Sequence, residues 1–138
     1  MRDRAPDLRP LVLIAALSGL YDIALGVVML FGRPFLQTLF SLPAPVPPIH
    51  ADLNGLFAIA IGAGYALPFQ NPDRYRGYLW VMGPLLKGIG CVAFVVDHFA
   101  RQSPPVFLLF AVADGTVAAL TLWALLRTSP DPGASPSI

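Results

Sequence analysis

The sequence predicts an all-α membrane protein: an antiparallel four-transmembrane-helix bundle with both termini cytoplasmic. Three observations predict it. Of the 138 residues, 56% are hydrophobic and 12% charged, about half the charged share of an ordinary soluble domain. Four apolar stretches, residues 11–31, 51–69, 78–96 and 106–126, have the roughly 20 residues that a helix needs to cross a hydrocarbon core. With four crossings, Arg2, Arg4, Arg9, Arg74, Arg76 and Arg127 share one side and only Arg33 and Arg101 the other. The positive-inside bias makes the first side cytoplasmic.

Taken in order, Arg2, Arg4 and Arg9 before an apolar run resemble the start of a secretory signal. The run continues to Phe31 without a clean small-x-small cleavage site, so it is expected to stay as the first membrane helix. Residues 32–50 place Phe35, Leu36, Leu39, Phe40 and Leu42 at helix-like spacing, followed by Pro43, Pro45, Pro47 and Pro48. They read either as a short interfacial helix on the outer leaflet with a stiff polyproline lead, or as an ordinary apolar loop. The connection around residues 70–77 is a turn with basic anchors, and Tyr75, Tyr78 and Trp80 suit the aromatic belt of a membrane face. Pro84 falls inside the third stretch beside Gly83, one turn before Lys87, and with Gly88 and Gly90 marks a kink or hinge. Gly83-Pro-Leu-Leu-Lys-Gly lacks the Gly-Lys-Ser/Thr order of a phosphate loop. The third connection is expected over residues 97–105. The transmembrane domain thus covers residues 1–127, and the Pro- and Ser-rich tail 128–138, with no apolar face to bury, is expected to be disordered.

Membrane helices pack through small residues, and each stretch carries a face of them. These are Ala15, Gly19, Asp22 and Gly26; Asn54, Ala58, Gly62 and Tyr65; Gly83, Lys87, Gly90 and Cys91; and Ala111, Asp114, Ala118 and Thr121. Every such face includes a polar group, which turns Asp22, Lys87 and Asp114 toward the bundle interior. Helical rise puts Asp22 roughly 16 Å, Lys87 roughly 14 Å and Asp114 roughly 18 Å from the cytoplasmic side. At one level, a lysine between two carboxylates offers either a proton- or ligand-binding centre, with Asp22 or Asp114 exchanging the proton, or a structural ion pair that fixes helix register.

A second polar set is expected at the outer face, where His50, Asp52 and Asn54 open the second helix and Asp97, His98 and Arg101 follow the third. Together they offer weak metal candidates in His50 and His98, or hydrogen bonds to a quinone carbonyl or lipid head group. The bland alternative is helix capping by Asp52 and a solvated His98. His-x-x-x-His spacing is absent.

No basic run suggests nucleic acid. Cys91 is the single cysteine, which leaves no internal disulfide or Cys-x-x-Cys centre. The chain contains no glutamate, and Ser18, Ser41 and Ser103 lack a hydrolase context.

Gly19-Leu-Tyr-Asp22, the Leu/Pro-rich connection ending at His50, Asn54-Gly-Leu-Phe, Asp73-Arg-Tyr-Arg and Lys87-Gly resemble small bacterial four-helix membrane proteins of the DoxX-like group. The resemblance spans about residues 10–127 and carries over no catalytic residue. Members of that group are four-helix membrane subunits, some associated with quinone-linked oxidation, which implies a quinone or a partner subunit here. The first functional reading is therefore a bacterial inner-membrane binding or accessory subunit for an apolar ligand, a quinone or lipid. The second is a proton-coupled small-solute transporter or channel component, as a homo-oligomer or with a partner subunit. The third is a membrane enzyme built on the outer His/Asp cluster, although no catalytic motif is recognisable.

Overall fold

The computed structural model describes residues 7–128. All regular structure among them is helical: α1 (Arg9–Phe31), α2 (Arg33–Phe40), α3 (Ile49–Gly64), α4 (Ala66–Gln70), α5 (Arg76–Trp80), a π-helical stretch (Val81–Lys87), α6 (Gly88–Arg101) and α7 (Phe107–Arg127). Four helical spans are long and apolar enough to cross a membrane: Arg9–Phe31, Ile49–Gln70, Arg76–Arg101 and Phe107–Arg127. Each overlaps one of the four stretches expected from hydropathy. Their large side chains point outward: Leu13, Leu17, Phe57, Ile89, Val92, Leu109 and Val112 are all more than half exposed. The buried residues of α1 are instead mostly small or polar, Ala15, Ser18, Gly19, Asp22 and Gly26 beside Leu11. Apolar outside and small inside is the distribution that lipid, rather than water, permits.

Glycines set the spacing of α1 and α3. A Cβ added at Gly26 would stand 2.5 Å from the Gly55 carbonyl oxygen, and one added at Gly19 would stand 2.9 Å from that of Gly62. The two backbones are therefore in direct contact, which only a missing side chain allows. Asn54 departs from the face expected of it: the buried residues of α3 are Gly55 and Gly62, and Asn54 is exposed. One position along a helix turns a side chain by about 100°, enough to move Asn54 off the contact with α1.

Proline explains both interruptions. Pro68 has no N–H for the Gly64 carbonyl four residues back, and the helix breaks at Tyr65, whose N–H bonds Gly62 at 3.2 Å. Pro84 lies within the π-helical stretch, whose wider turn relieves the clash of the proline ring with the preceding carbonyls. The expected kink is thus a local widening inside one continuous 26-residue span. At about 1.5 Å per residue that span is ~39 Å long, more than a hydrocarbon core of ~30 Å. Its last turn carries an Arg101 to Asp97 hydrogen bond of 3.0 Å, and Gln102 in the left-handed region ends it. The third connection consequently begins at Gln102, not at Asp97 as hydropathy suggests.

Residues 32–50 contain the expected short helix as α2, with Phe35 and Leu39 on its exposed side. At the opposite end of the bundle Leu11, Ala15, Tyr65, Leu79, Ala124 and Leu125 form the apolar core. This cluster joins the start of α1, the α3–α4 junction, α5 and the end of α7. Arg76 caps α7 there, donating to the Thr128 carbonyl at 2.9 Å and the Leu125 carbonyl at 2.7 Å, two acceptors a helix terminus leaves unpaired. Thr128, which sequence places in the tail, is buried and donates to the Ala124 carbonyl. Residues 129–138, and with them the rest of the expected disordered tail, lie outside the described residues, as do Arg2 and Arg4.

The glycine contacts give a direct test. Gly26→Leu is expected to destabilise the protein by about 1–3 kcal/mol through overpacking, whereas Gly77→Ala, where an added Cβ meets nothing within 4 Å, is expected to change stability by less than about 0.5 kcal/mol. Equilibrium unfolding in mixed micelles followed by circular dichroism measures both.

Candidate functional site

Gly83 makes the central contact possible. A Cβ added there would lie 2.5 Å from the Thr121 methyl carbon, so the π-helical stretch runs tightly against α7 and delivers Lys87, its last residue, to the level of Asp114. From α1, Asp22 reaches the same place between the two glycines that hold α1 on α3. The Lys87 ammonium donates to Asp22 Oδ1 at 2.6 Å and to Asp114 Oδ1 at 3.4 Å. Side-chain exposure is 6% for Lys87, 7% for Asp22 and 18% for Asp114. The three charges expected at one level are thus brought into one contact group.

Sequence reasoning missed much of the surrounding shell. Lys87 Nζ lies 4.9 Å from the centroid of the Tyr21 ring, a cation–π geometry that further compensates a desolvated ammonium. Asp22 Oδ2, Ser18 Oγ and the Tyr65 hydroxyl are buried without a hydrogen-bond partner. Tyr78 packs edge-on against Tyr65 with ring centroids 5.2 Å apart and donates to the Ile61 carbonyl at 2.6 Å. Ser18 precedes Asp22 by four residues, so helical spacing alone places it on the same face; nothing in the sequence signals the approach of Tyr21 to Lys87.

The outer polar set is divided rather than gathered. Asp52 forms an ion pair with Arg33 of α2, Asp97 pairs with Arg101 on its own helix, and His98 Nδ1 contacts the Ser103 carbonyl oxygen at 2.8 Å. His50 is exposed. No hydrogen bond or ion pair joins the His50/Asp52/Asn54 set to the Asp97/His98/Arg101 set, and among the described residues no three His, Cys, Asp or Glu side chains are grouped as a metal ion requires. Asp52, Asp97 and His98 are instead taken up by Arg33, Arg101 and the Ser103 carbonyl.

Beside the first of these sets, with Asn54 in its wall, lies a cavity of about 320 Å³. Leu25 and Met29 of α1, Arg33, Leu36 and Gln37 of α2, Pro43 and Pro45, Ala51 and Asn54 of α3, Phe94 of α6, and Phe107 and Phe110 of α7 line it. Phe94 and Phe107 lie nearly parallel, with centroids 6.2 Å apart. Leu25 follows Asp22 by three residues and Phe110 precedes Asp114 by four, so the cavity sits about one helical turn from the charge group. Its walls are almost wholly apolar; Arg33, Gln37 and Asn54 are the polar residues along them.

The chain matches no family model, no curated protein and no solved structure with which it was compared.

The charge group makes a quantitative prediction. Lys87→Met removes the cation from one buried and one half-buried carboxylate and is expected to cost about 3–5 kcal/mol. Adding Asp22→Asn and Asp114→Asn removes the uncompensated charge and is expected to recover most of that loss in the same unfolding measurement.

Proposed function

We propose that this protein is a multi-pass membrane protein of the bacterial inner membrane that binds an apolar ligand with a polar head, a quinone or a lipid, as a binding or accessory subunit. The cavity carries this reading. Its volume of about 320 Å³ falls at the lower end of small-molecule sites, enough for a ring or a segment of acyl chain. The Phe94, Phe107 and Phe110 rings favour flat or hydrocarbon matter, while the Gln37 and Asn54 amides suit a carbonyl or hydroxyl. The resemblance to DoxX-like membrane subunits points the same way.

The proposed arrangement is antiparallel, with the four spans crossing up, down, up and down. Contacts at Gly19–Gly62 and Gly26–Gly55, in which one number rises as the other falls, support that order. Arg9, Arg74, Arg76 and Arg127 then mark the cytoplasmic side, and the cavity opens toward the other leaflet beneath α2. A homo-oligomer or a partner subunit would cover part of the apolar exterior. The transporter reading draws its support from the charge group, where two carboxylates face one ammonium.

Organic extraction and mass spectrometry of the protein purified in mild detergent test the cavity. A quinone or lipid is expected at near-equimolar amount, and Ala51→Phe, which projects a ring into the cavity, is expected to lower it by about tenfold, a loss of roughly 1.4 kcal/mol in affinity. Equal retention in the two proteins, or no bound organic molecule in either, counts against the reading.

A further inference from the structure

We infer, on the reading of the cavity as a ligand site, that its occupant is an amphiphile with an acidic head, a carboxylate or a phosphate, and that Arg33 holds that head. Volume and apolar walls admit a ring or a hydrocarbon chain without fixing what stands at its polar end. The polar residues of the wall make that choice.

Those residues are gathered on one side. Arg33 and Gln37 line the cavity from α2 and Asn54 lines it from α3, whereas Phe94, Phe107 and Phe110 line it from α6 and α7. Arg33 and Gln37 are four residues apart and so share a face of α2, while Phe35 and Leu39 of the same helix are exposed. A ligand whose apolar part rests on the phenylalanines therefore offers its head to α2. Arg33 is the one charged residue of the wall, and its guanidinium is a donor that accepts nothing and stays charged. Nε donates to the Met29 carbonyl at 3.3 Å and Nη2 donates to Asp52. Among the described residues Nη1 has no partner, which leaves two N–H donors for an incoming oxygen.

Asp52 does not cancel this preference. It is not a wall residue, and its side chain is 41% exposed against 21% for Arg33. Its charge is therefore screened from the solvent side, while the cavity side of the guanidinium borders apolar matter, where an anion is attracted most strongly. A neutral carbonyl or hydroxyl could use the same donors without that attraction; hydrogen bonds to an ionised partner are roughly twice as strong. Asp52 and an acidic head are then rivals for one guanidinium. Removing Asp52 strengthens the hold on the head, and removing Arg33 ends it. An Arg33–Asp52 pair that merely fastened α2 to α3 would weaken binding in both variants.

Equilibrium binding of radiolabelled hexadecanoate, hexadecyl phosphate and methyl hexadecanoate to the full chain in neutral detergent tests this, at about pH 8, where free carboxylic acids are ionised. At least one of the two acids is expected to bind about tenfold more tightly than the methyl ester, and the tighter acid identifies the head as carboxylate or phosphate. Arg33→Gln is expected to bring that acid to the level of the ester, and Asp52→Asn to tighten it several-fold. Equal affinity for acid and ester overturns the inference, as does an acid preference that survives Arg33→Gln or is lost in Asp52→Asn. If Arg33→Gln does not fold, Arg33→Lys is expected to weaken the acid and leave the ester unchanged, and unchanged acid binding overturns the inference. Acid binding unaltered by Ala51→Phe places the acid outside the cavity and also overturns it. If the ester or a decyl-substituted benzoquinone binds in place of the acids and Ala51→Phe abolishes that binding, the cavity stands as a ligand site and the acidic head alone is overturned. If no probe binds, both readings fail.

Discussion

A primary ammonium placed in the middle of a membrane span must have anionic company within contact distance, because neither lipid nor distant charge can replace its water. Lys87 meets that demand with Asp22 and Asp114, and three helical spans must approach one another closely to supply them. The geometry of the bundle follows from this need. Asp22 is a short side chain and Asp114 another, so α1 and α7 have to stand near the Lys87 backbone rather than across a layer of leucines.

Small residues meet this demand. Gly19 and Gly26 let α1 rest directly on α3, and Gly83 lets the π-helical stretch rest on Thr121. Large side chains at these positions would separate the helices and pull the carboxylates off the ammonium. Displaced from the interior, the bulky residues face outward, where hydrocarbon accepts them without penalty. Apolar exterior and polar centre are two results of one packing choice.

At its other end the bundle is less tightly filled. The Arg33–Asp52 pair ties α2 to α3, and the proline-rich connection cannot fold back into a helix that would plug the space. Phenylalanines from α6 and α7 wall it instead. An apolar cavity bordered by Arg33, Gln37 and Asn54 therefore lies about one turn from the buried charge group. Both features depend on the same helices, and a ligand that parted them would also alter the distance between Lys87 and its partners.

The four spans and the inward turn of Asp22, Lys87 and Asp114 were legible in the sequence, because hydropathy and helical periodicity are local properties of the chain. The segment at Arg33–Phe40 read equally as a short helix or an apolar loop, and the structure shows the helix. The place of Asn54 was not legible: its neighbour Gly55 takes the contact with α1, and a one-residue difference in helix rotation lies below what a pattern of small residues can resolve. The outer His/Asp set also looked like one cluster, since sequence locates residues at a helix end without saying which nearer partner will claim each. Arg33 took Asp52 and Arg101 took Asp97. The sequence by itself thus determined which segments are apolar enough to cross a membrane and which charges turn inward; only the tertiary structure decided how near each carboxylate lies to Lys87, that the Tyr21 ring stands by its ammonium, and where a cavity remains. Those outcomes depend on ångström-scale distances between helices, and such distances are set by side chains interlocking across the bundle rather than by any one segment's composition.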